Sequence, residues 1–142
     1  MHYEHLGRVG ARYKYKVVFT IYRDCIRAEA EYDPEIKVCI YGQKSKKIIS
    51  SFDVDLDGVQ RVDPVGQTKC PLLVDNVCLE KGTYTKEIIL SESTDGYILK
   101  WERCCRNDQV NLPNEGGRPK YGQTYIGYIP PTYIVKSSPY FS

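Results

Sequence analysis

At 142 residues, with 20 Lys and Arg against 18 Asp and Glu, the chain has material for one domain and a net charge of only +2. That balance lacks the clustered basic face expected of a nucleic-acid binder, so no nucleic-acid partner is expected. No stretch approaches the ~20 apolar residues that span a bilayer, so the chain is read as not membrane-spanning. The opening "MHYEHLGRVG" has no apolar run, so these residues are not expected to be a signal peptide.

In chain order, alternation with period two recurs and helical periodicity is nearly absent. "YKYKVVFTIYR" (13–23) puts Tyr13, Tyr15, Val17, Phe19 and Ile21 on one face and Lys14, Lys16, Val18 and Thr20 on the other, the pattern of a strand with one buried face. "EIKVCIY" (35–41) groups Ile36, Val38 and Ile40 and turns Cys39 to the opposite face. "KSKK" (44–47) is the only dense basic run and reads as a solvated hairpin tip. "IISSFDVDLDG" points Phe52, Val54 and Leu56 inward and Asp53, Asp55 and Asp57 outward, and "VQRV" reads as a short return strand ending at Pro64. "TYTKEIIL" (83–90) and "GYILKWERCC" (96–105) flank Asp95-Gly96, a hairpin turn signal. "NLPNEGGRPKYG" (111–122) is a long Gly- and Pro-rich loop, and "QTYIGYI" (123–129) stops at Pro130-Pro131, which cannot extend a ladder. The expected fold is all-β: an antiparallel Ig-like β-sandwich of about seven to eight strands, stapled by disulfides. Residues 1–136 are expected to form the single domain, and 137–142 to begin a linker to a following one.

Six cysteines in a chain with 13 Tyr and 1 Met favour staples and a secreted or cell-surface setting over metal or redox use. Cys70 and Cys78 bracket a short segment and could close it as a local bridge, contributing on the order of 2.5 kcal/mol. Cys104 and Cys105 are adjacent, so on a strand their sulfurs point to opposite faces. Two separate bonds to Cys25 and Cys39 would follow, in either pairing. A bond from Cys25 to that pair would close a long loop and contribute on the order of 4.5 kcal/mol. Arg23, Asp24, Arg106 and Asn107 adjoin motif cysteines and are expected to form a buried or half-buried polar cluster where Cys25 nears Cys104 and Cys105.

Catalytic and metal chemistry find little to work with. Cysteine spacings do not fit zinc, no C-x-x-C occurs, and the only histidines, His2 and His5, lie in an amino terminus read as frayed. "DVDLDG" (53–58) opens like a calcium loop, making Asp53, Asp55 and Asp57 weak metal candidates, but the twelfth position is Pro64, and the outward face of a strand accounts for the same alternation. No G-x-S-x-G or mid-chain histidine is present, so no enzyme activity and no cofactor are expected. Tyrosines remain the notable surplus. Tyr97 and Trp101 on one strand face, with Tyr125, are the candidate glycan contacts, although such rings equally fill half-buried sheet faces.

"YRDC" (22–25), "CLEKGTYT" (78–85), "GYILKWERCCRN" (96–107) and "SSPYF" (137–141) together resemble the module near the amino terminus of large secreted surface proteins of gliding, type IX-secreting Bacteroidetes. Those proteins often carry further Ig-like, PKD or cadherin-like repeats and end in a gliding-motility-associated sorting domain. The usual pattern runs from "GG-x-I-T-Y" through "Y-x-Y-x-V-x-L-x-L-Y-R-D-C" and "C-C-R-N" to "N-S-S-P-x-F". This chain enters partway through the opening segment, and Cys39 has no fixed counterpart in the pattern. The resemblance implies location and setting, and carries over no catalytic residues. The expected role is a non-catalytic extracellular structural or adhesive module. Its partners would be neighbouring domains of the same chain, further copies joined through sheet edges, or a surface glycan or protein. The alternative is a carbohydrate-binding module using exposed Tyr and Trp.

Overall fold

The computed structural model describes residues 1–26, 31–62, 78–103, 122–134 and 137–138. They form seven antiparallel strands: β1 (His2–Val9), β2 (Arg12–Asp24), β3 (Glu35–Gly42), β4 (Ile48–Val62), β5 (Leu79–Leu90), β6 (Tyr97–Arg103) and β7 (Gln123–Ile129). No helix occurs among the described residues. The all-β, antiparallel expectation is met, but the layering differs. The strands hydrogen-bond in one curled sheet of order β1-β2-β5-β4-β3-β6-β7, where two separate sheets were expected.

β4 is the reason. It is 15 residues long and pairs with β3 through Ile48–Asp55 and with β5 through Leu56–Val62. Asp57 is an extra residue between the Leu56↔Tyr84 and Gly58↔Thr83 pairs, and such a bulge bends and twists a strand. "VQRV", expected to return as its own strand, is therefore the second half of β4, carried past the bend. Curling in this way lets the inner faces of both halves share one core. Tyr13, Tyr15, Val17, Phe19 and Ile21 of β2 meet Ile36, Val38 and Ile40 of β3 and Tyr97, Leu99 and Trp101 of β6 in a single buried cluster. Each fully buried aliphatic or Phe side chain contributes about 1.5–3 kcal/mol.

The alternation in β2 is as the sequence dictates, with every second residue from Tyr13 to Ile21 buried. In β4 the pattern is only partly realised: Val54 is buried, while Phe52 and Leu56 are half-buried. Two other expectations are corrected. Residues 2–9 are a full edge strand paired with β2, because Gly10, at φ 61°, makes the tight reversal into β2 that a side chain would resist. Asp95-Gly96 does not close a β5–β6 hairpin. β5 pairs with β2 and β4, whereas β6 pairs with β3 and β7, so the 91–96 connection crosses from one half of the sheet to the other.

That crossover is pinned by buried Thr132. Its Oγ1 accepts the Ser93 N–H at 2.8 Å, its own N–H donates to the Ser93 carbonyl at 3.0 Å, and the Gly96 N–H donates to Ser93 Oγ at 3.0 Å. Gly96 has φ 83°, and a Cβ there would strike the Ile129 carbonyl. The Tyr97 hydroxyl donates to the Ser91 carbonyl at 3.0 Å, tying the same connection to the core.

Burial raises the Tyr15 hydroxyl from 10.0 to about 12, with smaller contributions from Tyr3, Tyr13 and Tyr97. The unfolded chain would release this proton near pH 10 while the folded chain holds it. The resulting contribution to stability is full below pH 10 and is lost as pH rises towards 12. An alkaline titration followed by phenolate absorbance should show a late phase that coincides with loss of tertiary structure. Tyr15→Phe should diminish that phase by one tyrosine, the remainder coming from Tyr3, Tyr32, Tyr84 and Tyr97, whose hydroxyls burial also raises. An undiminished phase would count against Tyr15.

Candidate functional site on the outer sheet face

β2 and β5 run in one unbroken register from Tyr13↔Leu90 to Asp24↔Leu79, and the next facing positions are Cys25 and Cys78. These two cysteines form a disulfide across 53 residues, with Cα atoms 5.2 Å apart and the Cys25 N–H donating to the Cys78 carbonyl at 3.1 Å. The local Cys70–Cys78 bridge and the bond from Cys25 to the adjacent pair are both overturned, since ladder pairing brings Cys78 opposite Cys25. Cys39 is a half-buried free thiol on β3. Cys70, Cys104 and Cys105 lie outside the described residues.

The expected polar cluster is rearranged as well. Arg23 faces Glu80 in the ladder, donates from Nε to its Oε2 at 2.9 Å, and lies 4.5 Å over the Tyr32 ring. Gly82 makes room for that ring, which a Cβ would strike. The Tyr32 hydroxyl donates to the Glu80 carbonyl at 3.0 Å. Asp24 is exposed and accepts the Ile26 N–H at 2.8 Å, an Asx-type turn beside the disulfide. Arg106 and Asn107 lie outside the described residues. A second arginine takes part at the same end: Arg103 grips Asp33 at 3.1 and 3.3 Å, and the Asp33 carbonyl accepts from buried Tyr84 at 2.7 Å. A sequence signal for Arg103 was present, since it precedes Cys104 directly. Among the described residues these pairs lock β2, β5, β6 and the 31–33 segment together.

Asp53, Asp55 and Asp57 are all exposed on β4. Asp53 lies 3.7 Å from Lys37 on the neighbouring strand, and among the described residues no three His, Cys, Asp or Glu side chains converge on a metal position. Tyr97 and Trp101 are buried, at 5% and 4% exposure, and Trp101 stacks on Tyr125 at 4.7 Å and 17°. They pack inward because their phase on β6 matches Leu99, so neither can present a face to a sugar.

The opposite phase carries the surface feature. Strand pairing aligns Ile48, Tyr41, Ile98 and Tyr128 in one row across β4, β3, β6 and β7, and the next row holds Ser51, Cys39, Lys100 and Ile126. Ile48, Tyr128 and Ile126 are 63%, 57% and 48% exposed. Tyr41, Lys46, Ile98, Lys100, Ile126 and Tyr128 line a groove of about 340 Å³. Lys100 lies 2.6 Å from Glu102, a hydrogen bond that raises its pKa, and 5.9 Å from the Tyr41 ring centre. The sequence held a signal for these residues in Tyr41, on the Cys39 phase of "EIKVCIY", and in Ile126 and Tyr128 of "QTYIGYI", apolar positions to which alternation alone gave no role.

At the β1 edge, the "SS" of "SSPYF" occupies the backbone. Ser138 Oγ accepts the Tyr3 N–H at 2.8 Å, the Ser138 N–H donates to the Tyr3 carbonyl at 2.9 Å, and Ser137 Oγ accepts the His5 N–H at 2.9 Å. Residues expected to begin a linker thus act as a clasp on the domain. Ser138→Ala should cost about 1 kcal/mol of stability and speed hydrogen exchange at the Tyr3 amide. Unchanged exchange there would refute the clasp. No known protein family, curated protein or solved structure matches this chain.

Proposed function

We propose that the chain is a non-catalytic structural and adhesive module of a large extracellular surface protein, connecting or presenting neighbouring domains. The observation that carries this reading is the Cys25–Cys78 bond at the end of the β2–β5 ladder. A bond of this kind persists in oxidising surroundings and suits a strand-built domain outside the cell. The resemblance of "YRDC", "CCRN" and "SSPYF" to modules of gliding-associated Bacteroidetes surface proteins points the same way. Among the described residues no helix is long and apolar enough to cross a membrane.

Assembly through sheet edges remains part of the reading, with one refinement. Ser137 and Ser138 occupy β1 at Tyr3 and His5, so β7, the other outer strand of the sheet, is the edge suited to strand addition. Light scattering and electron microscopy over a concentration series test this. Association that grows with concentration and is abolished by Ile126→Pro, a substitution that removes a donor from β7, is the expected result. A monomer at every concentration defeats the assembly reading.

A further inference from the structure

We propose that the groove on the outer face of β3, β6 and β7 binds an anionic polysaccharide, a chain of uronic acid units. This deepens the adhesive reading above by giving that module a ligand class, and it rests on that reading for its setting. The groove uses none of the rings singled out from the sequence.

Three independent observations converge on it. The first is apolar exposure on a face that should be solvated. Antiparallel sheets with one buried face ordinarily turn polar side chains outward. Here Tyr41 and Tyr128 stand on either side of Ile98, two strand spacings or roughly 10 Å apart. Ile98 forms the floor at 9% exposure, while Ile126 and Tyr128 remain about half exposed. Such a surface costs free energy in an isolated domain and marks a contact site. Phenol rings offer flat, rigid, amphipathic area on which the C–H faces of sugars pack with little entropy loss.

The second is charge. On this face Glu102 pairs with Lys100 and Asp53 with Lys37, while the exposed Glu35 and Asp55 face each other at the far end of β3 and β4, six residues along β3 from Tyr41. Lys44, Lys46 and Lys47 at the adjoining hairpin tip have no carboxylate partner among the described residues. The groove therefore sits beside a surplus of positive charge, which complements a polymer bearing one carboxylate per sugar.

The third is the backbone that presents Lys46. It lies at φ 56°, a left-handed conformation that an L side chain resists. The turn holds it there, with the Lys46 N–H donating to the Gly42 carbonyl at 2.9 Å and the Gly42 N–H donating to the Lys47 carbonyl at 3.0 Å. A strained residue held by its surroundings and lining a groove fits a positioning role.

A sugar polymer suits the shape better than an acidic peptide does. The two tyrosines set ring area two strand spacings apart across the groove, and Lys46 lines it between them and the hairpin tip. An acidic peptide would use the lysines and leave the rings idle.

The test uses the whole chain and three probes in titration calorimetry: oligogalacturonate, its neutral methyl ester, and poly-glutamate of matched charge. Oligogalacturonate should bind, and the ester and poly-glutamate should bind at least tenfold more weakly. Tyr128→Ala should weaken the uronate about tenfold, and Lys46→Ala by about fivefold or more. Both side chains are exposed, so each variant should unfold at the parent midpoint, which separates lost contact from lost fold. No binding of the uronate, equal binding of the ester, or poly-glutamate binding as tight as the uronate's overturns the proposal, as does uronate affinity that Tyr128→Ala leaves unchanged. None of these outcomes touches self-association through β7, so the two readings can fail separately.

Discussion

Replacing Cys25 and Cys78 together by alanine is expected to lower the free energy of unfolding by about 4 kcal/mol, from the chain entropy of a loop of this length. The bond spans 53 residues of sequence but joins two strands already in register, so its removal leaves the native ladder unstrained and acts mainly on the unfolded chain. Against a total of about 5–15 kcal/mol for a typical domain, the loss is a large share. Denaturant unfolding of the double variant measures it. Non-reducing peptide mapping of the parent chain provides a separate check, and should recover the Cys25 peptide linked to the Cys78 peptide. A Cys70–Cys78 peptide in its place would overturn the pairing.

Trp101→Ala should destabilise by about 3–5 kcal/mol, the range for emptying a buried indole site. The ring is 4% exposed and stacks on Tyr125, so its removal leaves a cavity between the two halves of the curled sheet. Trp101 is the single tryptophan, and its fluorescence reports its own environment: emission should be blue-shifted in the native state and resist quenching by acrylamide. Trp101→Phe, which keeps most of the packing, should recover much of the stability. A freely quenched tryptophan, or an alanine variant with unchanged unfolding, would restore the ring to the surface and revive it as a ligand platform.

Strand identity was written locally. In β2, apolar residues at every second position from Tyr13 to Ile21 specify a strand with one buried face, because side chains alternate across a sheet with period two. The same rule placed Ile36, Val38 and Ile40 in the core and Cys39 opposite them, and set the basic hairpin tip between β3 and β4. Even the turn chemistry was local in part: Gly96 does take positive φ, but the turn serves a crossover and not the hairpin its dipeptide suggested.

What local pattern could not decide was which strand lies beside which. Alternation says that a strand has an inner face, not who its neighbours are, and each strand has two edges to satisfy. The pairing of β2 with β5 is a long-range choice, made where burying the β2 face and completing both ladders agree. It alone brings Cys25 opposite Cys78 and Arg23 opposite Glu80. The bend in β4 at Asp57 likewise joins the two halves into one curled sheet, and the pairing of β6 with both β3 and β7 sets Tyr41 and Tyr128 on a common outer row. The sequence by itself determined that the chain is built of antiparallel strands and which residues alternate inward. Only the tertiary structure decided the order of those strands, and with it the disulfide, the serine clasp on β1 and the groove, since each depends on contacts between residues far apart in the chain.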